Sequence, residues 1–216
     1  WEPMSHRTIS ERVRCTARGL ADMGIVAQDR VAILSENRPE WLIADFACIC
    51  SAITDVPIYP TLPADQLPYL LNNSGARAIF VSDAEQAKKV ASIRSEVPGL
   101  QWIIGFAATK ADGCDFTLAD IEAKGAAVDS AERALNFKHD ALAVTPDQLV
   151  TLIYTAGTTG HPKGVMLTQD NLYSNVIATK SSLDVGASDV ALSFLPLSHI
   201  FERTGDYFLF ANGVRI

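Results

Sequence analysis

Short apolar runs alternate with longer amphipathic segments along most of the chain. Val31-Ala32-Ile33-Leu34 reads as a buried strand, and Asn37-Arg38-Pro39-Glu40 then opens a helix expected to run to about Ser51, with Pro39 suited to a first turn. Asp55 to Tyr59 predicts a second strand closed by Pro60, residues 64–74 a short helix, and Ala78-Ile79-Phe80-Val81 a third strand. Ala84 to Val97 predicts a helix with Lys88, Lys89 and Arg94 outward, stopped by Pro98-Gly99. Trp102-Ile103-Ile104 is a fourth strand, Ala107 to Asp115 a loop, and Leu118 to Lys124 a short helix ended by Gly125. Residues 127–148 carry mixed charge without a strong period and read as a connecting segment. Leu149 to Ile153 has the length and β-branched content of a buried strand. Beyond it, Thr168 caps a helix that places Leu172, Val176, Thr179 and Leu183 on one face. Val190 to Leu195 predicts another strand. Ser198 starts a helix ending at Ala211-Asn212-Gly213, and Val214-Arg215-Ile216 looks like a further strand beginning. Strands alternating with helices imply an α/β fold with mostly parallel sheets covered by helices.

Between Leu149–Ile153 and Thr168 lies Tyr154-Thr-Ala-Gly-Thr-Thr-Gly-His-Pro-Lys-Gly164, expected as a tight turn leading towards a helix. Glycine lets backbone approach an anion that a Cβ would hold off, hydroxyls and amides supply neutral donors, and Lys163 supplies a mobile positive charge. The composition suits a polyphosphate. It is not a Walker loop, because Gly164 stands where Ser/Thr would hold magnesium. Nor is it the dinucleotide fingerprint, since Gly157 and Gly160 have no partner glycine at the first place.

Composition narrows the field. The chain has 216 residues, enough for one domain or two small ones, and 48% hydrophobic with 20% charged residues is ordinary for a globular protein. A net charge of −7 argues against a nucleic-acid partner. Cys15, Cys48, Cys50 and Cys114 form no CxxC pair and no metal-ligand spacing, which suggests a reducing compartment. The most apolar stretch, Trp41 to Pro60, is broken by Asp45, Asp55 and Pro57 and is no membrane span. Residues 1–15 are charged and lack the apolar core of a signal peptide. A chain beginning at Trp1 is expected to be a fragment or processed form.

The loop resembles the signature of the adenylate-forming (AMP-binding) superfamily, Tyr-Thr-Ser-Gly-Thr-Thr-Gly-x-Pro-Lys-Gly, and departs from its fixed positions only at Ala156. The resemblance implies that Thr158, Thr159 and Lys163 grip the β- and γ-phosphates of ATP, that Thr155 lies near Mg2+, and that Ala156, Gly157, Gly160 and Gly164 build the cradle. The hydroxyl missing at Ala156 is expected to weaken ATP contact rather than abolish it. Downstream, LPLSHIFER (Leu195 to Arg203) resembles the form of the next superfamily motif found in long-chain fatty acyl-CoA synthetases. There the histidine lies beside the acyl carboxylate, so His199 is expected to orient the fatty acid; on residue type alone it reads as a cap or core histidine. Glu202 and Arg203 read equally as an ion pair on a helix face or as groups with a catalytic role. Thr204-Gly205-Asp206 mimics the superfamily's ribose-binding triplet but falls mid-helix and reads as structural. Upstream, Asp29 to Cys48 and Asp55 to Phe80 are similar to the N-terminal region of bacterial long-chain members, with departures at His6, where an aromatic is usual, and Gln169, where histidine often follows the loop.

This family implies a reaction in which a fatty carboxylate attacks the α-phosphorus of MgATP, giving acyl-AMP and pyrophosphate, and coenzyme A then displaces AMP. The later motifs, including the magnesium-binding glutamate, the ribose aspartate, the hinge and the C-terminal lysine, lie outside the chain. The expectation is therefore a scaffold region (1–148) and a phosphate-loop region (149–216) of one large, truncated domain. By itself it would be inactive and prone to self-association. A cytoplasmic setting with peripheral membrane contact is expected. The rivals are an aryl-CoA ligase, a peptide-synthetase adenylation domain, a non-catalytic nucleotide-binding module, and a plain structural domain.

Overall fold

The computed structural model describes residues 3–156 and 160–216. Its seven strands are β1 (Arg30–Leu34), β2 (Thr54–Ile58), β3 (Ala76–Val81), β4 (Trp102–Gly105), β5 (Phe116–Thr117), β6 (Leu149–Thr155) and β7 (Lys163–Thr168). They form one sheet in the order β5-β4-β3-β1-β2-β6-β7. Every neighbouring pair is parallel except β6 and β7, which form an antiparallel hairpin. The helices are α1 (His6–Asp22), α2 (Pro39–Cys50), α3 (Leu67–Ser74), α4 (Ala84–Ser92), α5 (Leu118–Ala127), α6 (Ala131–Ala143), α7 (Gln169–Lys180) and α8 (Ile200–Ala211).

Strand alternation divides the core into two layers. Val31 and Ile33 of β1 face Leu20 of α1, Trp41 and Ala44 of α2, and Ile121 of α5. Ala32 and Leu34 face the other way, towards Leu70 and Leu71 of α3 and Ala87 and Val90 of α4. A parallel sheet buried on both faces is what the near-continuous apolar runs of β1 to β4 require, so the expected α/β class holds.

Several expectations are corrected. The signature loop leads into β7 and not directly into a helix; α7 follows β7, with Thr168 capping it through a reciprocal bond pair with Asn171. Residues 127–148 contain α6, which has no fully buried side chain and only a narrow half-buried face of Ala134, Phe137 and Ala141, too weak a stripe to announce it. The run Val190 to Leu195 makes only an isolated bridge, Val190 to Arg215, and leaves Leu192 and Phe194 exposed. Lys89 does not point outward: its ammonium donates to the carbonyls of Pro60 and Leu62 at 2.7 and 3.1 Å. Arg94 is likewise engaged, with Asp115.

Gly125 does not end its helix. It lies inside α5, where an added Cβ would stand 1.9 Å from the Cys15 carbonyl oxygen of α1. Gly19 of α1 answers it, with a Cβ placed 2.1 Å from the Ile121 carbonyl. These glycines permit the two helices to approach backbone to backbone. The helix α1 itself, capped by Ser5, is an element that the pattern of apolar runs does not predict.

Candidate functional site

The signature loop sits at the carboxyl end of β6, the side on which ligands collect in open α/β sheets. Gly157, Thr158 and Thr159 lie outside the described residues, so the structure speaks to the loop's two limbs. Thr155 and Ala156 are exposed at the end of the first. In the second, Gly160 has φ +113°, and a Cβ there would meet nothing within 4 Å, so its need for glycine is conformational and not steric. Lys163 is exposed and opposes Thr155 across the hairpin, and Gly164 opposes Tyr154.

The second limb is anchored from α3. The Tyr69 hydroxyl donates to the Pro162 carbonyl at 3.1 Å, and the Tyr69 ring stacks on His161 with centroids 4.6 Å apart. Tyr154 donates to Asn73 at 2.7 Å, and its ring would meet a Cβ at Gly164 at 3.2 Å. Burial, reinforced by the neighbouring Tyr69, raises the Tyr154 phenol above its ordinary value. Lys163 thus projects from a hairpin fixed on both flanks.

The second constellation reaches the same end of the sheet, where the parallel strands finish, by a different route. Asn37, just beyond the carboxyl end of β1, accepts from the Leu197 amide at 2.8 Å and donates to the Leu195 carbonyl at 2.7 Å. Glu202 accepts from the amides of Phe194 and Leu195 at 3.0 and 3.2 Å. Between these clamps the chain turns into α8, with His199 as its N-cap. The His199 Nδ1 accepts from the Phe201 amide at 3.2 Å, and the ring is exposed. An accepting Nδ1 places the proton of the neutral imidazole on Nε2, leaving that N–H free to donate outward.

Arg203 corrects the sequence reading most sharply. It does not pair with Glu202 on a helix face but is fully buried, bonded to Asp45 of α2 and Asp55 of β2. It also donates to Thr151 of β6 at 2.9 Å and to the Tyr207 hydroxyl, which in turn donates to Asp45. Thr151 donates to Asp55 at 2.7 Å, and the guanidinium lies over the Trp41 ring at 5.5 Å. Burial pushes the Asp45 carboxyl up to about 7, against the pull of Arg203 and with the help of Asp55. The two carboxylates hold the Arg203 guanidinium above its ordinary value despite burial. Sequence reasoning registers Asp45 and Asp55 only as breaks in an apolar run. Two acids inside such a run must be paired, hydrogen-bonded or neutralised if buried, and that is the available signal.

Thr204-Gly205-Asp206 lies within α8, as expected, and burial raises the Asp206 carboxyl to about 6. Two clefts, of about 440 Å³ beside Arg30, Tyr154 and Met166 and about 230 Å³ beside Lys180 and Asn212, touch neither Lys163 nor His199. Among the described residues no group of three His, Cys, Asp or Glu side chains could hold a metal, and no helix is long and apolar enough to cross a membrane.

A mostly parallel sheet covered by helices on both faces, with a Gly/Thr/Lys segment following a strand's carboxyl end, defines an α/β domain. More particularly, the chain belongs to the AMP-binding enzyme family, whose model matches residues 1–216. It is 35% identical over 205 residues to the long-chain-fatty-acid–CoA ligase FadD15 of Mycobacterium bovis, covering 94% of this chain and 33% of that protein. It is 36% identical over 203 residues to the peroxisomal long chain acyl-CoA synthetase 6 of Arabidopsis thaliana, covering 92% and 28%. Among solved structures, the inhibitor-bound N-terminal domain of FACL13 from Mycobacterium tuberculosis superposes with a TM-score of 0.80 at 27% identity, covering 98% of this chain and 49% of that one. The chain spans about a third of the length of the curated relatives it matches.

Proposed function

We propose that this chain is the phosphate-gripping part of a long-chain fatty acid–CoA ligase, which activates a fatty acid with MgATP to acyl-AMP and transfers the acyl group to coenzyme A. The observation that carries the reading is the anchored hairpin that presents Lys163 and Gly160 beyond the carboxyl end of β6, with a second clamped turn bearing His199 at the same end of the sheet. The loop resembles the superfamily signature except at Ala156, and Leu195 to Arg203 resembles the long-chain form of the next motif.

In this reading Lys163, Thr158 and Thr159 bind the β- and γ-phosphates and stabilise charge that shifts onto the departing pyrophosphate. Gly160 supplies the left-handed backbone turn and Gly164 leaves room for the Tyr154 ring that braces the hairpin. Ala156 contributes backbone only. Thr155 is the oxygen donor nearest the metal. Magnesium would come with the nucleotide as MgATP. His199, with Nε2–H outward, donates to the fatty carboxylate and orients it for attack on the α-phosphorus. A cytoplasmic setting with peripheral membrane contact suits a fatty acid substrate and belongs to the same proposal. So do inactivity and self-association of the isolated chain, for which the exposed Leu192, Phe194 and Phe201 supply the surface.

The test is fatty-acid-dependent ATP–pyrophosphate exchange by the longer protein that the proposal requires, with palmitate, benzoate and amino acids compared. Exchange with palmitate supports the reading. Exchange with benzoate or an amino acid instead assigns an aryl-CoA ligase or peptide-synthetase domain, and tight ATP binding without any exchange assigns a nucleotide-binding module.

A further inference from the structure

The hairpin that carries the signature loop lies closely along β2 but has a sparse backbone ladder with it. β2 and β6 share one register pair, Asp55 with Thr151. By contrast, β1 meets β2 and β3 over five positions each, and β6 meets β7 over six. Side chains seal the seam at that same pair. Thr151 donates to Asp55 at 2.7 Å and accepts from Arg203 at 2.9 Å, while Arg203 also reaches Asp45 across the layer of α2. Arg203 enters from α8, one helical turn beyond His199. A single guanidinium therefore touches the strand leading into the loop and the helix that His199 caps.

We propose that Arg203 and Thr151 are positioning residues that lock the signature-loop hairpin and the His199 turn into one mechanical unit, so that a displacement of either moves the other. Apolar contacts between α8 and β6 could slide against one another. A guanidinium bonded to two carboxylates, a hydroxyl and a phenol has a fixed fork geometry and cannot. Burying three charges is a poor route to stability, because apolar residues of similar volume usually serve as well or better. Fixed relative placement is what the arrangement supplies beyond stability. All of these groups are buried away from solvent, so none touches a reactant. What the two held parts grip rests on the proposed function; the coupling itself does not.

The experiment follows hydrogen exchange and NMR of the chain without nucleotide, so its outcome is independent of the pyrophosphate-exchange test. Thr151→Val keeps the side chain's shape and removes its hydroxyl. Thr54→Val is the control, because it removes the bond to the Leu149 carbonyl on the same strand (3.1 Å) without touching Arg203. Thr151→Val should speed amide exchange about tenfold in both 149–155 and 199–204, the loss expected for a bond to a charged partner. It should also move the His199 imidazole resonance, whereas Thr54→Val should act only at the start of β6. Tyr207→Phe, a milder change on the α8 side, should shift the Lys163 and Gly164 amide resonances and gives the same two-way test should Thr151→Val fold poorly. Perturbation by Thr151→Val or Tyr207→Phe that stays within its own element would overturn the proposal.

Discussion

Replacing Arg203 by Met tests the buried cluster most severely. The side chains of Arg203, Asp45 and Asp55 are all 0% exposed, so neither carboxylate can recover hydration when the guanidinium goes. Removing one partner of a buried ion pair typically costs about 3–5 kcal/mol, because the other is left as an uncompensated charge. Here part of that cost can be relieved. The Asp45 carboxyl already sits at about 7 and takes up a proton readily, which leaves Asp55 as the stranded charge and draws the expected loss towards the lower end, about 3 kcal/mol, at pH 6. At pH 8 the proton is harder to hold and the loss should be larger. Against a domain stability of about 5–15 kcal/mol, either value is a large fraction. Urea unfolding followed by tryptophan fluorescence suits the measurement, since Trp41 lies beneath the guanidinium. The midpoint should fall with the slope unchanged. A loss under about 1 kcal/mol at both pH values would refute the reasoning, for that is the worth of a surface pair.

Three further outcomes follow from the structure. The folded Asp45 pKa of about 7 exceeds the ordinary 3.8, so its protonated form favours the fold fully below about pH 4, and that contribution fades as pH rises through about 7; Asp45→Asn should remove this slope, and parallel pH–stability curves for the two proteins would contradict it. Gly125→Ala forces a methyl into the Cys15 carbonyl and should cost about 3 kcal/mol, read as a fall in thermal midpoint, with an unchanged midpoint contradicting the close α1–α5 approach. Ala156→Ser restores a hydroxyl to the loop and should lower the KM for ATP in the longer enzyme about fivefold, the worth of one hydrogen bond; an unaltered KM would show that this position makes no phosphate contact.

Pattern reading succeeds where burial is complete. β1 to β4 and α2 carry apolar runs because both faces of the parallel sheet are covered, and Thr168 announces α7 through its cap. It fails where burial is partial or absent. α6 lies on the surface with only a narrow half-buried face, and β7 is an edge strand with Lys163, Val165 and Met166 exposed, so each has at most a weak periodic signal. The opposite error occurs at Val190 to Leu195, where apolar residues face solvent and form no strand. Gly125 misleads because a helix-stopping glycine and a helix-contact glycine look alike until the neighbouring helix is known. At the site, the loop and His199 are legible from motif, but their supports are not. Tyr69, Asn37 and the Asp45–Asp55–Arg203 cluster join residues far apart in the chain, and no local pattern links them.

The central claim is that Lys163 belongs to an ATP grip. It is exposed and forms no part of the core, so Lys163→Ala should leave the fold intact. The direct measurement is palmitate-dependent ATP–pyrophosphate exchange by the longer enzyme carrying that substitution. Loss of one charge-stabilising donor is worth about 2.7–4 kcal/mol in a transition state, so the rate should fall about 10²–10³-fold with the thermal midpoint unmoved. An exchange rate equal to that of the unsubstituted enzyme would contradict the account.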